Sequence, residues 1–152
     1  MNANQQFSVS CHILAILAAF PEEAITSETI ARSVDTNPVV IRRIMSSLRN
    51  HGLVESHTGT NGGWRLCQSA ADLNLRKVYQ AVGQESVLSI HTHPNMECPI
   101  GGHIQDTLGN VFAGVQQALE GALETVSIAN LLEQIKVEHY KDGARDAVQN
   151  KL

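Results

Sequence analysis

Aromatic side chains are scarce in this sequence: Phe7, Phe20, Trp64, Tyr79, Phe112 and Tyr140 make up 4% of 152 residues. So few rings, so widely spread, exclude a platform that stacks single-stranded bases. Cysteine is scarcer still. Cys11, Cys67 and Cys98 are odd in number and far apart, which argues against a disulfide framework and makes a reducing cytoplasm the expected location. The longest apolar run, Ile13 to Phe20, is far too short to span a bilayer, so no membrane partner is expected. No basic segment leads an apolar stretch at the N-terminus, so no signal peptide is expected. Signatures of catalysis are missing too. There is no Gly-x-Ser-x-Gly elbow, no His-Glu-x-x-His helix, no phosphate loop and no spaced carboxylate pair. No internal repeat is visible.

What is present is a globular composition: 43% of residues are hydrophobic and only 17% are charged. The length suits one domain with a small extension. The net charge of −4 argues at first against a nucleic-acid partner, but the charge is unevenly spread. Residues 1–66 hold five arginines against five acids, so the remainder carries the whole deficit. Between Thr36 and Leu66, Arg42, Arg43, Arg49 and Arg65 face a single acid, Glu55, a local excess of three positive charges. Local charge, not the total, sets a phosphate-binding face.

The apolar pattern predicts a buried helix from Phe7 to Phe20, ended by Pro21. Ser27 is the expected N-cap of a short helix through Val34. Asp35-Thr36-Asn37-Pro38 forms a turn, with Asn37 as cap and Pro38 at the first helical position, where its missing N–H costs nothing. The next helix runs to about His51 and stops at Gly52. Ile41, Ile44, Met45 and Leu48 share one face at helical spacing. Val39, Arg42, Arg43, Ser46 and Asn50 share the other, with Arg49 at its edge. Leu53–His57 and Trp64–Gln68 read as two strands joined by the Thr58-Gly59-Thr60-Asn61-Gly62-Gly63 turn. Asn74 caps a helix from Leu75 to Val82, and residues 83–97 form an irregular loop. Cys98-Pro99 is expected to open the longest helix, to about Glu124. Ile104, Leu108, Val111 and Val115 form one apolar stripe on it, and Phe112, Leu119 and Leu123 form a second. Two stripes need two partners, the helix's own domain and another chain. Gly109, Gly114 and Gly121 each cost roughly 1 kcal/mol in a helix interior, which close packing would offset. Ser127 caps a last helix, and beyond Glu138 a polar tail follows.

Two short helices, a tight turn and a Gly-rich hairpin, in that order, describe a mainly α chain: a winged helix-turn-helix with a two-stranded wing and a long C-terminal dimerisation helix. Residues 1–82 would bind DNA, 83–98 form a sensor loop, 99–136 dimerise and 137–152 form the tail. The N-terminal residues of a helix in the major groove reach base edges. Thr36, Asn37 and Val39 suit that position, with Pro38, Arg42, Arg43, Ser46 and Arg49 following, and Ser27 is a further candidate DNA contact. Arg42 and Arg43 fit guanine or phosphate equally well. In the wing, Asn61, Gly62, Gly63, Trp64 and Arg65 are the candidate contacts, Arg65 in the minor groove. Taken singly, each feature has a plainer explanation: a solvated cationic face, an ordinary turn, a Trp64 packed in the core. The order and spacing favour double-stranded DNA over two rivals, a winged helix used for protein contact and a metal-dependent hydrolase at the histidine-rich loop.

The stretch Thr36-Asn37-Pro38-Val39-Val40-Ile41-Arg42-Arg43-Ile44-Met45, then Leu48-Arg49 and Gly52-Leu53-Val54, resembles the Rrf2 family of bacterial transcription regulators. The wing Gly59-Thr60-Asn61-Gly62-Gly63-Trp64-Arg65-Leu66 is similar to that family's glycine-rich wing. His93-Pro94-Asn95-Met96-Glu97-Cys98-Pro99-Ile100-Gly101 resembles its YwnA-like branch. The resemblance runs from about Phe7 to Lys136. It implies a homodimeric repressor on a palindromic operator, paired through Ile104, Leu108, Val111, Phe112, Val115 and Leu119, with the first helix crossing to the partner.

Several relatives hold an iron–sulfur cluster through three closely spaced cysteines before the long helix. Here only Cys98 lies there, which argues against a cluster of that kind. As an N-cap, Cys98 would face unpaired N–H groups and the helix dipole, both of which favour the reactive thiolate. Some YwnA-like relatives sense oxidants such as hypochlorite with a cysteine at this point, which implies redox sensing by Cys98. Two other readings stay open: a small-molecule effector, and a metal held by His91, His93, Cys98 and His103. His12, His51, His57 and His139 read as structural or solvated, and Cys11 as core.

Overall fold

A computed structural model describes residues 3–83 and 86–135. The expected polar tail at 137–152 lies outside the described residues.

The N-terminal unit forms around α1 (Ala3–Ala19), whose Ile13, Leu14 and Leu17 are buried. The chain turns at Pro21 and enters α2 (Ser27–Val34). Its N-cap is Thr26, one residue before the position expected: the Thr26 hydroxyl accepts from the Thr29 N–H at 3.2 Å. Ser27 is displaced from capping because its side chain is buried. Asp35 closes α2 in the left-handed region, at φ 56°, and the Thr36 N–H donates to the Ala31 carbonyl at 2.9 Å. Asn37 then caps α3 (Pro38–Asn50), its Oδ1 accepting from the Val39 N–H at 2.8 Å, with Pro38 in the first turn. The predicted apolar face of α3, Ile41, Ile44, Met45 and Leu48, is buried at every position.

Gly52, at φ 70°, turns the chain out of α3 into the wing. The wing is an antiparallel pair, β1 (Val54–His57) and β2 (Gly63–Leu66), in the register Val54↔Leu66 to His57↔Gly63. On the far edge of β2, Ile25 and Trp64 exchange backbone hydrogen bonds of 3.1 and 2.9 Å. The loop between α1 and α2 thus adds a third, one-residue strand to the sheet.

Asn74 caps α4 (Leu75–Ala81) through the Lys77 N–H, as expected. α5 (Gly101–Glu124) follows the 86–100 loop, and α6 (Ile128–Gln134) closes the described chain with a Ser127–Asn130 capping box. α5 begins two residues later than the sequence suggests. Cys98, Pro99 and Ile100 form a preceding turn instead, in which the Gly102 N–H donates to the Cys98 carbonyl at 2.9 Å. Cys98 is therefore not the N-cap and Pro99 is not the first helical residue. The turn packs so closely that a Cβ on Gly101 would lie 2.2 Å from the Asn95 carbonyl oxygen.

α6 returns to the N-terminal unit. The Leu75 N–H donates to the Val126 carbonyl and the Ile128 N–H to the Leu73 carbonyl, each at 2.9 Å, and Ile128 is fully buried in the core with α1 and α3. α5 behaves differently. At 24 residues it is about 36 Å long, yet it has no buried residue. Its C-terminal half is held to α4 by Arg76, which pairs with Glu120 at 3.0 Å and Glu124 at 3.1 Å. Replacing Ile128 by Ala should destabilise the fold by about 2–5 kcal/mol in urea denaturation, because it empties a fully buried site. A loss below ~1 kcal/mol would mean that α6 is not anchored in this core.

Candidate nucleic-acid interface

The helix pair α2–α3 presents its polar side outward. On α3, Val39 is 65% exposed, and Arg42, Arg43, Ser46 and Arg49 are exposed beside it. Asn37 is exposed, but its Oδ1 is committed to the cap, which leaves the amide NH2 as its outward donor. Thr36 and Pro38 are half-buried at the turn. Arg42 pairs with Glu28 of α2. Arg43 and Arg49 have no acidic partner among the described residues, so both present a full positive charge. A stub of helix with a methyl-bearing residue, amide and hydroxyl groups and unpaired cations at one end has the chemistry of major-groove contact.

The wing is built differently from its sequence reading. Gly63 and Gly62 are there for packing. A Cβ on Gly63, at φ 157°, would lie 2.7 Å from the Ile25 backbone, and one on Gly62 would lie 2.7 Å from the His57 carbonyl oxygen. The Gly62 N–H is already bonded to the Gly59 carbonyl at 2.9 Å, and the Trp64 N–H to Ile25, so neither is free for a phosphate. Trp64 is half-buried, and its indole N–H donates to the Ser27 hydroxyl at 3.0 Å. Ser27 is thus a wing anchor inside the unit. Arg65 is half-buried as well: its Nη2 donates to the Glu22 carbonyl at 2.8 Å, and its Nε is buried without a partner. Of the wing candidates, Asn61 is exposed at the tip. Sequence reasoning missed Ile25 as a sheet partner. The available signal was Trp64, since a tucked indole needs an acceptor nearby.

The third candidate region surrounds the start of α5. Cys98 is exposed, and the N–H groups of Gly101 and Ile100 hydrogen-bond its sulfur, holding the thiol below its ordinary pKa. The donors are supplied jointly by Gly101, the first residue of α5, and by Ile100 of the preceding turn. Cys11 is the opposite case, pushed up to about 12 by burial in α1. Cys67, just after β2, is raised by partial burial and by Glu55. Among the described residues no group of three or more His, Cys, Asp or Glu side chains is placed to hold a metal ion. His91, His93, Cys98 and His103 are thus not assembled as the metal set the sequence allowed. The loop folds along α5, where Gln105 donates to the His91 carbonyl at 2.8 Å. Between them lies an open cleft of about 760 Å³, lined by Ile90, His91, Thr92 and Asp106 among others. Of the expected dimerisation residues, Val111 and Val115 are 56% and 42% exposed, while Ile104, Leu108, Phe112 and Leu119 are half-buried.

A trihelical core, a recognition helix with a cationic outer face and a wing hydrogen-bonded to the α1–α2 loop define a winged helix-turn-helix DNA-binding protein. The chain matches the Rrf2 family, described as an iron-dependent transcriptional regulator, over residues 3–134. It is 38% identical over 133 residues to YwnA of Bacillus subtilis (strain 168), described as an HTH-type transcriptional regulator, covering 87% of this chain and 98% of that protein. A crystal structure of a protein described as DNA-binding is 34% identical with a TM-score of 0.69, over 84% of this chain and 98% of that one. A crystal structure of a transcriptional regulator from Lactobacillus plantarum is 27% identical with a TM-score of 0.74, over 90% and 97%. The chain belongs to the Rrf2 family. It is a DNA-binding transcription regulator and not an enzyme, so the hydrolase alternative falls. No helix among the described residues is long and apolar enough to cross a membrane.

The family description raises iron, and this chain's residues do not fit an iron–sulfur cluster. Such clusters need several thiolates converging on one site. Here Cys11 is in α1, Cys67 follows β2 and Cys98 precedes α5, with no ligand group among the described residues.

The buried and exposed candidates separate by experiment. Ser27→Ala strands the Trp64 indole N–H and should cost about 1–3 kcal/mol of stability in urea denaturation. Arg43→Glu should leave stability within about 0.5 kcal/mol and weaken duplex DNA binding at least tenfold in fluorescence anisotropy, the loss expected where one phosphate or base contact turns repulsive. The reverse pattern would exchange their roles.

Proposed function

We propose that the chain acts as a homodimeric, sequence-specific repressor that binds a roughly palindromic operator. The observation that carries this reading is the contrast between a closed N-terminal core and α5, whose 24 residues include none that is buried. A long helix with exposed Val111 and Val115 leaves its apolar stripe for a second copy. Ile104, Leu108, Phe112 and Leu119 would join that seam. A two-fold dimer places two recognition helices about 34 Å apart, one turn of DNA, which requires a two-fold related operator. Val39, Arg42, Arg43, Ser46 and Arg49 would meet the major groove with Asn37, while Asn61 would reach out from the wing. Residues 1–82 then serve DNA binding, 83–98 sensing and the helix beyond them pairing. A dimer seated on promoter DNA blocks transcription by occupancy, and its place of work is the bacterial cytoplasm, where the DNA lies.

Sedimentation and duplex binding test this together. A dimer that neutralises about six to eight phosphates should lose affinity with log salt at a slope of roughly −5 to −7, and Val111→Asp with Val115→Asp should yield a monomer with little operator affinity. A wild-type monomer, or a slope near zero, would overturn the reading.

The signal we assign is oxidation of Cys98, whose exposed sulfur receives two backbone N–H groups. A two-electron oxidant would convert the thiolate to sulfenic acid, which a small thiol condenses to a mixed disulfide with loss of water. The cleft between the 86–100 loop and α5 favours a second reading, a small-molecule effector. Native mass spectrometry before and after mild hypochlorite distinguishes them. An adduct on Cys98, with weakened DNA binding that Cys98→Ser abolishes, is the expected result. An unmodified Cys98 and a molecule retained by wild type and Cys98→Ser alike would favour the effector.

A further inference from the structure

Arg42 lies on the outer face of α3, one turn in from the N-terminus of the helix, where recognition-helix side chains meet base edges. Of the three α3 arginines it alone has an acidic partner among the described residues. Its Nη2 donates to Oε1 of Glu28, in the first turn of α2. Stability does not explain the pair. Both side chains are more than half exposed, at 54% and 56%, and exposed pairs contribute little to folding. An acid suits a helix N-terminus, but a carboxylate on this face also meets phosphate repulsion. Its effect falls on Arg42. With one corner of the guanidinium fork engaged, that side chain loses its freedom to swing among phosphates and its net attraction for them. The fork still has N–H donors left, enough for a bidentate bond to the O6 and N7 acceptors of a guanine. Arg43 and Arg49 remain as unpaired cations for the backbone.

We propose that Glu28 is a specificity-determining residue of the DNA-binding face: by holding Arg42 it turns a general phosphate-seeking cation into a directed reader of a base. Glu28 is a positioning residue in this scheme, acting through Arg42. It lowers affinity for DNA in general and raises discrimination between sequences. The inference rests on the DNA-binding reading of α3.

The test uses the full chain and two duplexes of equal length and composition. One is enriched by the wild-type protein from a randomised pool, and the other is its scrambled counterpart. Anisotropy titrations over a salt series give affinity and slope for each. Glu28→Gln should bind the scrambled duplex more tightly, with a slope steeper by about one unit per protomer, while the selected-to-scrambled ratio falls about three- to tenfold. Glu28→Asp keeps the charge but shortens the reach, so the ratio should fall without the steeper slope. Arg42→Gln should lower the ratio, and adding Glu28→Gln to it should lower it no further. Equal tightening on both duplexes by Glu28→Gln would overturn the proposal, making Glu28 a bystander charge. So would an undiminished effect of Glu28→Gln in the Arg42→Gln background. A wild-type chain that binds neither duplex at low salt would overturn the DNA-binding assignment of α3 as well, whereas wild-type selectivity that Glu28→Gln leaves intact overturns this proposal alone.

Discussion

The antiparallel exchange between Ile25 and Trp64 is the constraint on which the DNA-binding unit depends. Two backbone hydrogen bonds join the loop before α2 to the second strand of the wing. They form only because Gly63 has no side chain where the Ile25 backbone lies. Around this bridge the Trp64 indole reaches Ser27, and Arg65 reaches the Glu22 carbonyl. The wing is thereby fixed to the start of the helix-turn-helix at three successive points. A free two-stranded hairpin is marginal in water. This one takes its orientation from the helices it must accompany onto DNA.

A second set of contacts joins α3 to α5. The Ser47 hydroxyl donates to the Ala81 carbonyl at 2.6 Å, tying the recognition helix to the end of α4. α4 is in turn tied to α5 by Arg76 with Glu120 and Glu124, and by Tyr79, which accepts from Gln116 at 3.5 Å. The Glu120 carboxyl is held below its ordinary pKa, first by Gln116 and then by Arg76. A shift of α5 relative to α4 would therefore reach α3 through a short, hydrogen-bonded path. The 86–100 loop lies along the same helix, with Val87 and His91 bonded to Gln116 and Gln105.

The helices were legible in the sequence because their signals are local. Asn37-Pro38 and Asn74 announce their caps, and the four buried residues of α3 fall at helical spacing. The exposed face of the candidate site was legible in outline, through the same spacing that set Arg42, Arg43 and Ser46 on the outer side of α3. What the sequence hid depends on distant partners. Ser27 looked like a cap because serines often are caps, yet the indole of Trp64, 37 residues away, claims its hydroxyl. Gly62 and Gly63 read as candidate wing contacts, but neighbouring backbone fills the space their missing side chains leave. Cys98 was placed at the start of a helix that begins instead at Gly101, yet its thiol is still held below its ordinary pKa, because the Gly101 and Ile100 N–H groups are aimed at its sulfur. The Glu28–Arg42 pair is invisible to any pattern within one helix.

The wing also sets limits on how the sequence can drift. Its base is crowded: Gly62, Gly63 and Trp64 each answer to a neighbour that leaves no room for exchange. Its tip is not, since Thr58, Thr60 and Asn61 are exposed. Substitutions can accumulate at the tip without disturbing the angle at which the hairpin leaves the body. Duplicated copies of such a gene can thus diverge at two or three tip residues while the scaffold that presents them stays the same.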